Sequence, residues 1–451
     1  MPKLAAASAV AALCLMAVSC TPPGAQDPAG TPSPSTTTSP SVPPEPVELS
    51  FAVYGNGEQI SSYVDLAKAF TKNNPHVSIS VARAPDAGTA MANLADRFAA
   101  GDPPDVFLAQ HEDLPALMAE QRVQRVDELL EAREVDFGDG FQRAGLEAFS
   151  AESALQCMPH DVSPMVVYYN RELLDLGSLV EDDEEPPTAE DGWSWEEFTE
   201  AANQISRGRV KGVYIRPSLE QLAPFIWSGG GEIADDPTAP TTLTLSDGDT
   251  RGALEQVLTL ARDPQVTPTR AELARVSAVD RFKRGRIGMI LGTRELTPEL
   301  RRAKDLAFEV MPLPRLGPYR TIAEMSGYCI AAGSNDVEAA ADFLAFAVGR
   351  EGATITTTAG YVVPSNLEVA HSPAFIHPGK DPQNSFVFSE GVRRAQRFPF
   401  VRQWPELMEQ IEPMLDRLLY VPVIDLDALL TQIDTASQPI LEPAEESPAP
   451  E

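Results

Sequence analysis

The stretch VELSFAVYGNGEQISSYVDLAKAFTKNNPHVSISVARA, residues 47–84, decides the fold. Its first part, 47–54, alternates apolar and polar residues and predicts a strand that ends at GNG. Residues 58–74 place apolar side chains three and four positions apart, which is typical of an amphipathic helix. Residues 75–84 alternate again, so they predict a second strand.

The following segments continue this order. Residues 89–102 predict another helix, and residues 103–109 predict a short buried strand. Strands that alternate with helices predict an α/β fold with a mainly parallel sheet. Ligand sites on such sheets lie beyond the carboxyl ends of the strands, which here are the loops at 54–58 and 109–112.

The rest of the chain carries further helix signals. Ser194 precedes an apolar-periodic segment and Glu197 follows three residues later, which predicts a capping box. Residues 247–263 and 404–419 predict two long helices. The acidic, Pro-rich segment 436–451 predicts a disordered tail.

The amino-terminal segment has the features of an export signal. Lys3 is followed by an apolar run of about 15 residues, which is too short to span a bilayer comfortably. The run ends in AVSC at Cys20, which resembles the bacterial lipoprotein processing box, so we expect a signal peptide at 1–19 and lipidation of Cys20. The alternative is an ordinary signal peptide with a chance cysteine. Residues 20–46 are rich in Pro, Ser and Thr and predict an extended tether.

Size and charge limit the classes of function. A chain of 451 residues suits two domains, and a formal net charge of −31 makes nucleic acid an improbable partner. Beyond the amino-terminal segment only Cys157 and Cys329 remain. In an exported protein these two residues form either a disulfide or two separate buried thiols.

No catalytic or metal-binding motif is present in the sequence. The five histidines show no HExxH spacing, and neither a GxSxG elbow nor a GxxxxGK[ST] loop occurs. GNG lacks the third glycine of a dinucleotide fingerprint. We therefore predict a protein that is not an enzyme and that uses no cofactor or metal.

Several segments in a fixed order resemble a known family. They are VYGNG (53–57), FAAGDPPDVFLAQ (98–110), MPHDVSPMVVYYNRELL (158–174), GWSWEEF (192–198), WSGGGEI (227–233) and RFKRGRIGMILGT (281–293). With the lipoprotein-like start, the chain resembles the extracellular solute-binding proteins of ABC importers, in particular the carbohydrate-binding family that includes maltose-binding proteins.

The resemblance implies a periplasmic-binding-protein-like fold of two α/β lobes joined by hinge strands. It assigns 47–159 and 330–370 to the first lobe, and 160–329 and 371–435 to the second. The chain would cross between lobes near 159–160, 327–330 and 371. Both Cys157 and Cys329 fall on the implied hinge strands, where a disulfide is possible if their Cα atoms are close enough.

The resemblance also implies ligand-binding positions. Sugars are bound by flat aromatic faces and by planar polar groups. In the loops of the first lobe these positions are Tyr54, Asn56, Gly57, Glu58, Gln110, His111 and Glu112. For Asn56 and Glu58 the alternative is a helix N-cap.

Four further positions complete the predicted site. Asp161 follows the crossover proline, and its alternative role is a hydrogen bond that stabilises the hinge. Trp227 would face the cleft, or lie in the core, and Trp404 is a possible aromatic platform. Arg294 stands where the family often has a tryptophan, and a guanidinium there would also suit an anionic ligand.

The resemblance implies a function in solute uptake. We expect a monomer, lipid-anchored on the extracytoplasmic face of the cell membrane, that captures a carbohydrate and delivers it to the permease subunits of an ABC transporter. The alternatives are a sensor for a membrane kinase, a surface enzyme or adhesin on the same fold, and a binder of an anionic solute such as a sugar phosphate. An enzyme would bring an acid and a base together in the cleft, whereas a transport module would present aromatic and amide side chains.

Overall fold

The opening segment folds as its pattern predicts. A computed structural model describes residues 45–181 and 184–442, and in it β1 (Val47–Tyr54), α1 (Gly57–Asn73) and β2 (Val77–Ala84) follow one another. β1 and β2 pair in parallel along their whole length. The α/β prediction is therefore confirmed from the first unit onward. The predicted signal peptide, Cys20 and residues 443–451 of the predicted tail lie outside the described residues, as does the tether up to Pro44.

The remaining strands are short, and most are buried. They are β3 (Val106–Gln110), β4 (Val123–Gln124), β5 (Ser150–Ala151), β6 (Ala154–Leu155), β7 (Met158–Pro164), β8 (Val166–Asn170), β9 (Lys211–Tyr214), β10 (Ile287–Gly292), β11 (Phe308–Met311), β12 (Thr321–Ala331) and β13 (Ala395–Gln396).

The helices after α1 connect and cover these strands. They are α2 (Ala87–Ala99), α3 (Leu114–Ala119), α4 (Asp127–Glu131), α5 (Arg143–Ala148), α6 (Trp195–Ile205), α7 (Leu219–Ser228), α8 (Gly248–Ala261), α9 (Arg270–Leu273), α10 (Ala278–Lys283), α11 (Leu296–Arg301), α12 (Val337–Val348), α13 (Arg350–Thr358), α14 (Leu367–Ala370), α15 (Pro373–Ile376), α16 (Phe386–Val392), α17 (Trp404–Tyr420) and α18 (Leu426–Leu441), with 3-10 turns at His111–Asp113 and Leu176–Leu179. Ser194 and Glu197 form the predicted capping box at the start of α6. Among these described helices, none combines the length and apolarity that crossing a membrane requires.

Two sheets position the candidate site. The first has the order β13-β12-β3-β1-β2, with β4 and β7 also paired to β12. The second has the order β11-β8-β10-β9. Because β8 alternates its side chains, Val166 and Tyr168 enter one hydrophobic core whereas Val167 and Tyr169 enter another.

The chain changes sheet at Met165 and again between β11 and β12. The strand that contains Pro159 and His160 stays in the first sheet as far as Pro164, so the change lies beyond the predicted crossover at 159–160. On the return, β12 belongs to the first sheet from Thr321 onward. The lobe boundaries read from the sequence remain a prediction.

The last helix is longer than the sequence predicts. Residues 436–441, assigned above to a disordered tail, are helical and complete α18. Ser437 is fully buried, and its Oγ accepts a hydrogen bond of 2.8 Å from the backbone N–H of Leu243. Leu441 is also buried. Packing therefore holds this turn in place despite Pro439, which the sequence marks as a helix breaker.

A disulfide links the two cysteines of the described region. Cys157, just before β7, is bonded to Cys329 on β12, and their Cα atoms are 4.4 Å apart. Both residues are fully buried. The bond joins residues 172 positions apart in the sequence, at the point where β7 and β12 lie side by side.

Removal of this bond should destabilise the protein. We expect the double variant Cys157→Ala, Cys329→Ala to lose about 2–5 kcal/mol of unfolding free energy, because the unfolded chain is no longer constrained. Urea unfolding of the oxidised wild type and the variant measures the difference. Wild type unfolded in the presence of a reductant is the control and should match the variant. Equal stability of the two proteins under oxidising conditions would contradict this expectation.

Candidate functional site

Polar side chains that follow strands of both sheets come together in one place, which we call the cleft. The loops after β1 and β3 contribute from the first sheet, and those after β9 and β10 from the second. Glu324 of β12 joins the two sides, because its Oε2 accepts a hydrogen bond of 3.0 Å from Thr293 Oγ1. The loops at the carboxyl ends of strands from both sheets, where ligand sites of α/β proteins usually lie, are thus close to one another.

Four side chains form the floor of the cleft on the side of the first sheet. They are Tyr54, Glu112, Asp113 and Asp161, and all four are partly exposed. Burial raises the pKa of Tyr54 well above its usual value, and the charges of Asp113, Asp161 and Glu112 raise it further. The structure therefore brings three of the predicted residues, Tyr54, Glu112 and Asp161, close enough together to interact electrostatically.

The carboxylates of the cleft hold their protons more tightly than usual. Burial raises the pKa of Glu112 and of Glu324 to about 7, and that of Asp113 to about 6. The Glu324 side chain is nevertheless exposed to solvent. Groups that water reaches, but that protein surrounds on most sides, are what a deep cleft produces.

Asp161 has one engaged and one open carboxylate oxygen. Its Oδ1 accepts hydrogen bonds of 2.7 Å from Ser163 Oγ and from the backbone N–H of Val363. Within the described part of the chain, Oδ2 accepts no hydrogen bond, and this residue is partly exposed. Oδ1 therefore makes stabilising hydrogen bonds of the kind that the sequence analysis gave as the alternative role of Asp161. Oδ2 is available to a ligand.

The polar groups of the loop after β1 mainly cap the amino-terminal end of α1. Asn56 Oδ1 accepts from the backbone N–H groups of Glu58 and Gln59, and the backbone N–H of Asn56 donates to Gln59 Oε1, which makes a capping box. Gly55 has φ +135°, and a Cβ there would lie 2.7 Å from Gln59 Oε1. Gly57 is simply the exposed first residue of the helix. Of the alternatives for Asn56, helix capping is therefore the role observed.

Glu58 is also engaged. Its Oε2 accepts from Tyr361 Oη at 2.7 Å and is ion-paired with Arg302, which follows α11. Nearby, Gln59 Nε2 donates to Glu295 Oε1 at 3.4 Å. These contacts connect the start of α1 to the segment after β10, at the edge of the cleft rather than on its floor.

Gln110 and His111, in the loop after β3, differ in their exposure to solvent. Gln110 is partly exposed at the end of β3. His111 is buried, with its ring centroid 5.3 Å from that of Phe400 and 6.1 Å from that of Phe149. Burial lowers the pKa of His111 to about 4, with a contribution from Arg397, so its ring is neutral at pH 7. His111 is therefore packed in the core beside the site.

The two predicted tryptophans form part of a core cluster. Trp227 is 8% exposed and Trp404 is 2% exposed. Phe398 lies between them, 6.2 Å and 4.9 Å from their ring centroids. For Trp227 the core alternative describes the structure better, and Trp404 offers no open aromatic platform.

Arg294 does not reach the cleft, which corrects the role expected from sequence. It is fully buried, and its guanidinium donates to Gly360 O, Ser385 Oγ and Phe375 O at 3.3, 3.1 and 2.9 Å. The guanidinium also lies 4.7 Å from the ring centroid of Phe375 and 5.2 Å from that of Phe388. Because all three nitrogens have partners and the rings cover the group, it is not available to an anionic ligand.

Sequence reasoning missed several polar groups of the cleft. Glu324, Asp113 and Glu295 lie among the carboxylates, and Arg216 and Glu220 lie on the side of the second sheet. Most of them follow the carboxyl end of a strand, which was a usable signal. Glu324 is a single acidic residue within the otherwise uncharged strand β12, and that signal was also present in the sequence. Across 45–181 and 184–442, no three His, Cys, Asp or Glu side chains are arranged to hold a metal ion.

Comparison with known families decides the class of the protein. The sequence profile of the family described as bacterial extracellular solute-binding protein matches residues 65–384. The chain belongs to this family. Comparison with curated protein sequences gave no match.

Solved structures share the fold of this solute-binding protein at low sequence identity. The ABC substrate-binding protein Lmo0181 from Listeria monocytogenes, in complex with cycloalternan, is 19% identical with a TM-score of 0.76, over 88% of this chain and 99% of that one. The sugar-binding protein MalE from Xanthomonas citri is 18% identical with a TM-score of 0.75, over 88% and 97%. The GacH receptor of Streptomyces glaucescens, studied unliganded and with acarbose, is 18% identical with a TM-score of 0.72, over 88% and 98%. The predicted two-lobed α/β fold is confirmed.

The buried position of Arg294 in the solute-binding protein leads to a stability prediction. We expect Arg294→Lys to lower the unfolding free energy by about 2 kcal/mol, because a lysine cannot reproduce the three-way hydrogen bonding of the guanidinium. Urea unfolding measures this loss, and Arg393→Lys, at an exposed position, is the control. An unchanged stability would mean that the guanidinium is not buried as described.

The raised pKa of Glu112 predicts a pH-dependent effect. Below about pH 4 both the folded and the unfolded protein carry Glu112 mostly neutral, whereas above pH 7 the folded protein must hold it ionised in the cleft. Glu112→Gln should therefore raise the melting temperature by about 2 °C at pH 8 and leave it nearly unchanged at pH 4.

A thermal melt of both proteins across this pH range makes the measurement. The exposed Glu406→Gln on α17 is the control and should show no such pH dependence. A gain in stability at pH 4 that disappears at pH 8 would contradict the sign of the effect.

Proposed function

We propose that this protein captures a carbohydrate in the cleft between its lobes and delivers it to the permease subunits of an ABC transporter. The observation that carries the proposal is the floor of the cleft, where Tyr54 stands beside Asp161 and Glu112. An aromatic face packs against the C–H surface of a sugar ring, and carboxylate oxygens accept hydrogen bonds from its hydroxyls. The carbohydrate complexes of the similar structures support the same class of ligand.

The proposal includes closure of the lobes on the ligand. A ligand that contacts both Asp161 and the second-sheet side of the cleft interacts more strongly with the closed form, and so shifts the population toward it. The ion pair between Glu58 and Arg302 supports this view, because it joins α1, which follows β1 of the first sheet, to the end of α11, which follows β10 of the second. Such an exposed ion pair adds little energy by itself, so the ligand must supply most of the bias.

The location of the protein follows partly from its family. An extracellular solute-binding protein works outside the cytoplasm. We further propose that Cys20 is lipidated and that the Pro-rich segment after it tethers a monomeric body to the membrane surface.

An anionic ligand fits the cleft poorly. Asp161, Glu112, Asp113, Glu295 and Glu324 are its neighbouring charged groups, and Arg216 is the cation that acts on Glu324. A sugar phosphate would meet mostly acidic side chains there, and each of them that is ionised would repel it. The guanidinium that could have favoured such a ligand, that of Arg294, is buried elsewhere.

Catalysis is the second candidate, because carboxylates do converge in the cleft. A glycosidase needs two carboxyl groups whose pKa values are pushed apart, so that one is neutral and the other is ionised. Here burial shifts the pKa of Glu112, Asp113, Asp161 and Glu324 in the same upward direction. The arrangement therefore supports binding of hydroxyl groups better than hydrolysis, and we propose that no bond is broken.

A ligand screen with one variant tests the proposal. We expect the purified protein to be stabilised by several degrees by at least one of a panel of mono- and oligosaccharides, and not by sugar phosphates. Asp161→Asn should weaken binding of that sugar at least tenfold, because Asn keeps the acceptor for Ser163 and Val363 but replaces the open oxygen with an NH₂ group. Titration calorimetry measures the affinities.

The exposed Asp139→Asn is the matched control and should bind like the wild type. Reducing ends should not accumulate when the stabilising sugar is incubated with the protein. Stabilisation by anions alone would transfer the assignment to another class of solute, and release of reducing ends would transfer it to an enzyme.

A further inference from the structure

The strand that carries Asp161 has a second face, which is turned away from the cleft. Successive side chains of a strand point to opposite faces, so Val162 and Pro164 of β7 lie on the face opposite to Asp161. Two closely packed helices cover this face. A Cβ added to Gly145 of α5 would lie 2.9 Å from Val162 Cγ2, and one added to Gly391 of α16 would lie 2.9 Å from Pro164 Cγ. Helices α5 and α16 therefore lie behind the cleft.

A cavity of about 900 Å³ lies between these two helices, and its volume is within the range of small-molecule sites. We call it the back pocket. Its walls are α5 with the residues before it, the start of α14, and the end of α16 with β13. None of the four side chains of the cleft floor lines it. The lining residues that matter here are Phe141, Gln142, Ala144, Leu146, Leu367 and Val392.

The wall of the back pocket is apolar except for one buried amide. Phe141 and Val392 are buried, and α5 and α14 add aliphatic side chains. Gln142 is 7% exposed and directly precedes α5, yet its side chain does not cap that helix. Within the described part of the chain, its amide group forms no hydrogen bond. Because a buried amide without a partner costs stability, this is the place where a ligand group would gain most.

The charged groups at the rim of the back pocket largely neutralise one another. Arg143 Nε lies 2.7 Å from Glu147 Oε1, and Arg393 is ion-paired with Glu390. Asp139 is exposed to solvent. The interior offers no counter-charge, so burying an ion there would be costly, and the pocket fits a neutral molecule. Since an amide presents a donor and an acceptor side by side, the group that best satisfies the buried glutamine is a second amide.

The two walls of the back pocket are attached to different sheets. The ring of Phe149, directly after α5, has its centroid 6.1 Å from that of His111, which follows β3 of the first sheet. The ring of Phe388, in α16, has its centroid 6.2 Å from that of Tyr168, in β8 of the second sheet. A change in the angle between the sheets must therefore change the shape of the pocket.

The present shape of the back pocket accompanies contacts that cross the cleft. Thr293, after β10 of the second sheet, donates to Glu324 of the first, and Glu58 is ion-paired with Arg302. A molecule that fits the pocket in this shape favours the conformation in which these contacts are made. The same conformation brings the two sides of the cleft together around a ligand.

We propose that the back pocket binds a neutral, mainly apolar small molecule with one amide group, and that this molecule raises the affinity of the cleft for its own ligand. Its amide pairs with that of Gln142, and its apolar part packs on Phe141 and Leu146. It touches no residue of the cleft floor, so the coupling acts through the angle between the sheets. The coupling, but not binding at the back pocket, rests on the proposed capture of a carbohydrate.

A small aromatic amide and its analogues test binding at the back pocket. The probe is N-benzylacetamide. Its analogues are benzyl acetate, phenylacetate and benzylamine, which replace the amide with an ester, an anion and a cation. Saturation-transfer NMR should show contact with the amide and about tenfold weaker binding of the other three. Hydrogen exchange with saturating amide should show protection of residues 137–147 and 392–395.

Two variants examine the recognition of the amide. Gln142→Met nearly keeps the length of the side chain and removes its amide, so it should abolish the preference for the amide over the ester. Ala144→Trp, on the same wall, should fill the pocket and prevent binding of every probe. Gln438→Met, at an exposed position of α18, is the control and should bind as the wild type does. A melt without probe shows whether each variant is folded.

Titration calorimetry of the cleft ligand measures the coupling. Saturating N-benzylacetamide should raise the affinity for the sugar identified in the screen by about fivefold in the wild type, and should leave it unchanged in Ala144→Trp. Small-angle X-ray scattering gives an answer that needs no sugar, because the amide alone should reduce the radius of gyration of the wild type.

Three results would overturn the inference while leaving carbohydrate capture in place. The amide does not bind, or its binding is unchanged in both Gln142→Met and Ala144→Trp, or it binds without changing the affinity for the sugar. If no sugar binds to the cleft, the proposed function is wrong, and the binding and scattering measurements still decide whether the back pocket is a site that changes the angle between the sheets.

Discussion

The two-sided pairing of strand β12 is the constraint on which the rest of the structure depends. It has eleven residues and is paired with β3 on one side and with β7 and β4 on the other, while its first two residues also pair with β13. The disulfide fixes it to the residue before β7, and Glu324 extends from it to Thr293 beyond the second sheet. Since β7 leads directly into β8, any movement of one sheet against the other must act on this strand and its partner. The geometry of the cleft is therefore set where the sheets are joined.

The acidic side chains of the cleft have different neighbours from those on the rest of the surface. Elsewhere carboxylates are commonly paired with arginines, as Glu338 and Asp342 are with Arg133. On the cleft floor the negative groups face one another and a tyrosine, and burial keeps the pKa of Glu112, Asp113 and Asp161 high. Hydroxyl groups of a ligand can donate hydrogen bonds to these oxygens without bringing in a further charge.

A feature of the structure could be predicted from the sequence when its cause lies within a few neighbouring residues. The bounds of β1 and the capping box at Ser194 came directly from the sequence, because period-two alternation and cap chemistry act over a few residues. The convergence of Glu324 with Glu112 could not be predicted, since they lie 212 positions apart in the sequence and only the sheet order brings them together. The sequence correctly predicts that Arg294 lies in the loop after β10. The direction of its side chain, however, depends on packing against α15 and α16. The last turn of α18 was missed for the same reason, because tertiary contacts outweigh the effect of its proline.

The disulfide limits the order in which the chain can complete its fold. All four strands of the second sheet, β8 to β11, lie between Cys157 and Cys329 in the sequence. The bond can therefore close only after the whole second sheet has been synthesised and β12 has paired with β7. Until β12 arrives, an exported chain carries Cys157 as a free thiol that is open to oxidation or to pairing with a wrong partner.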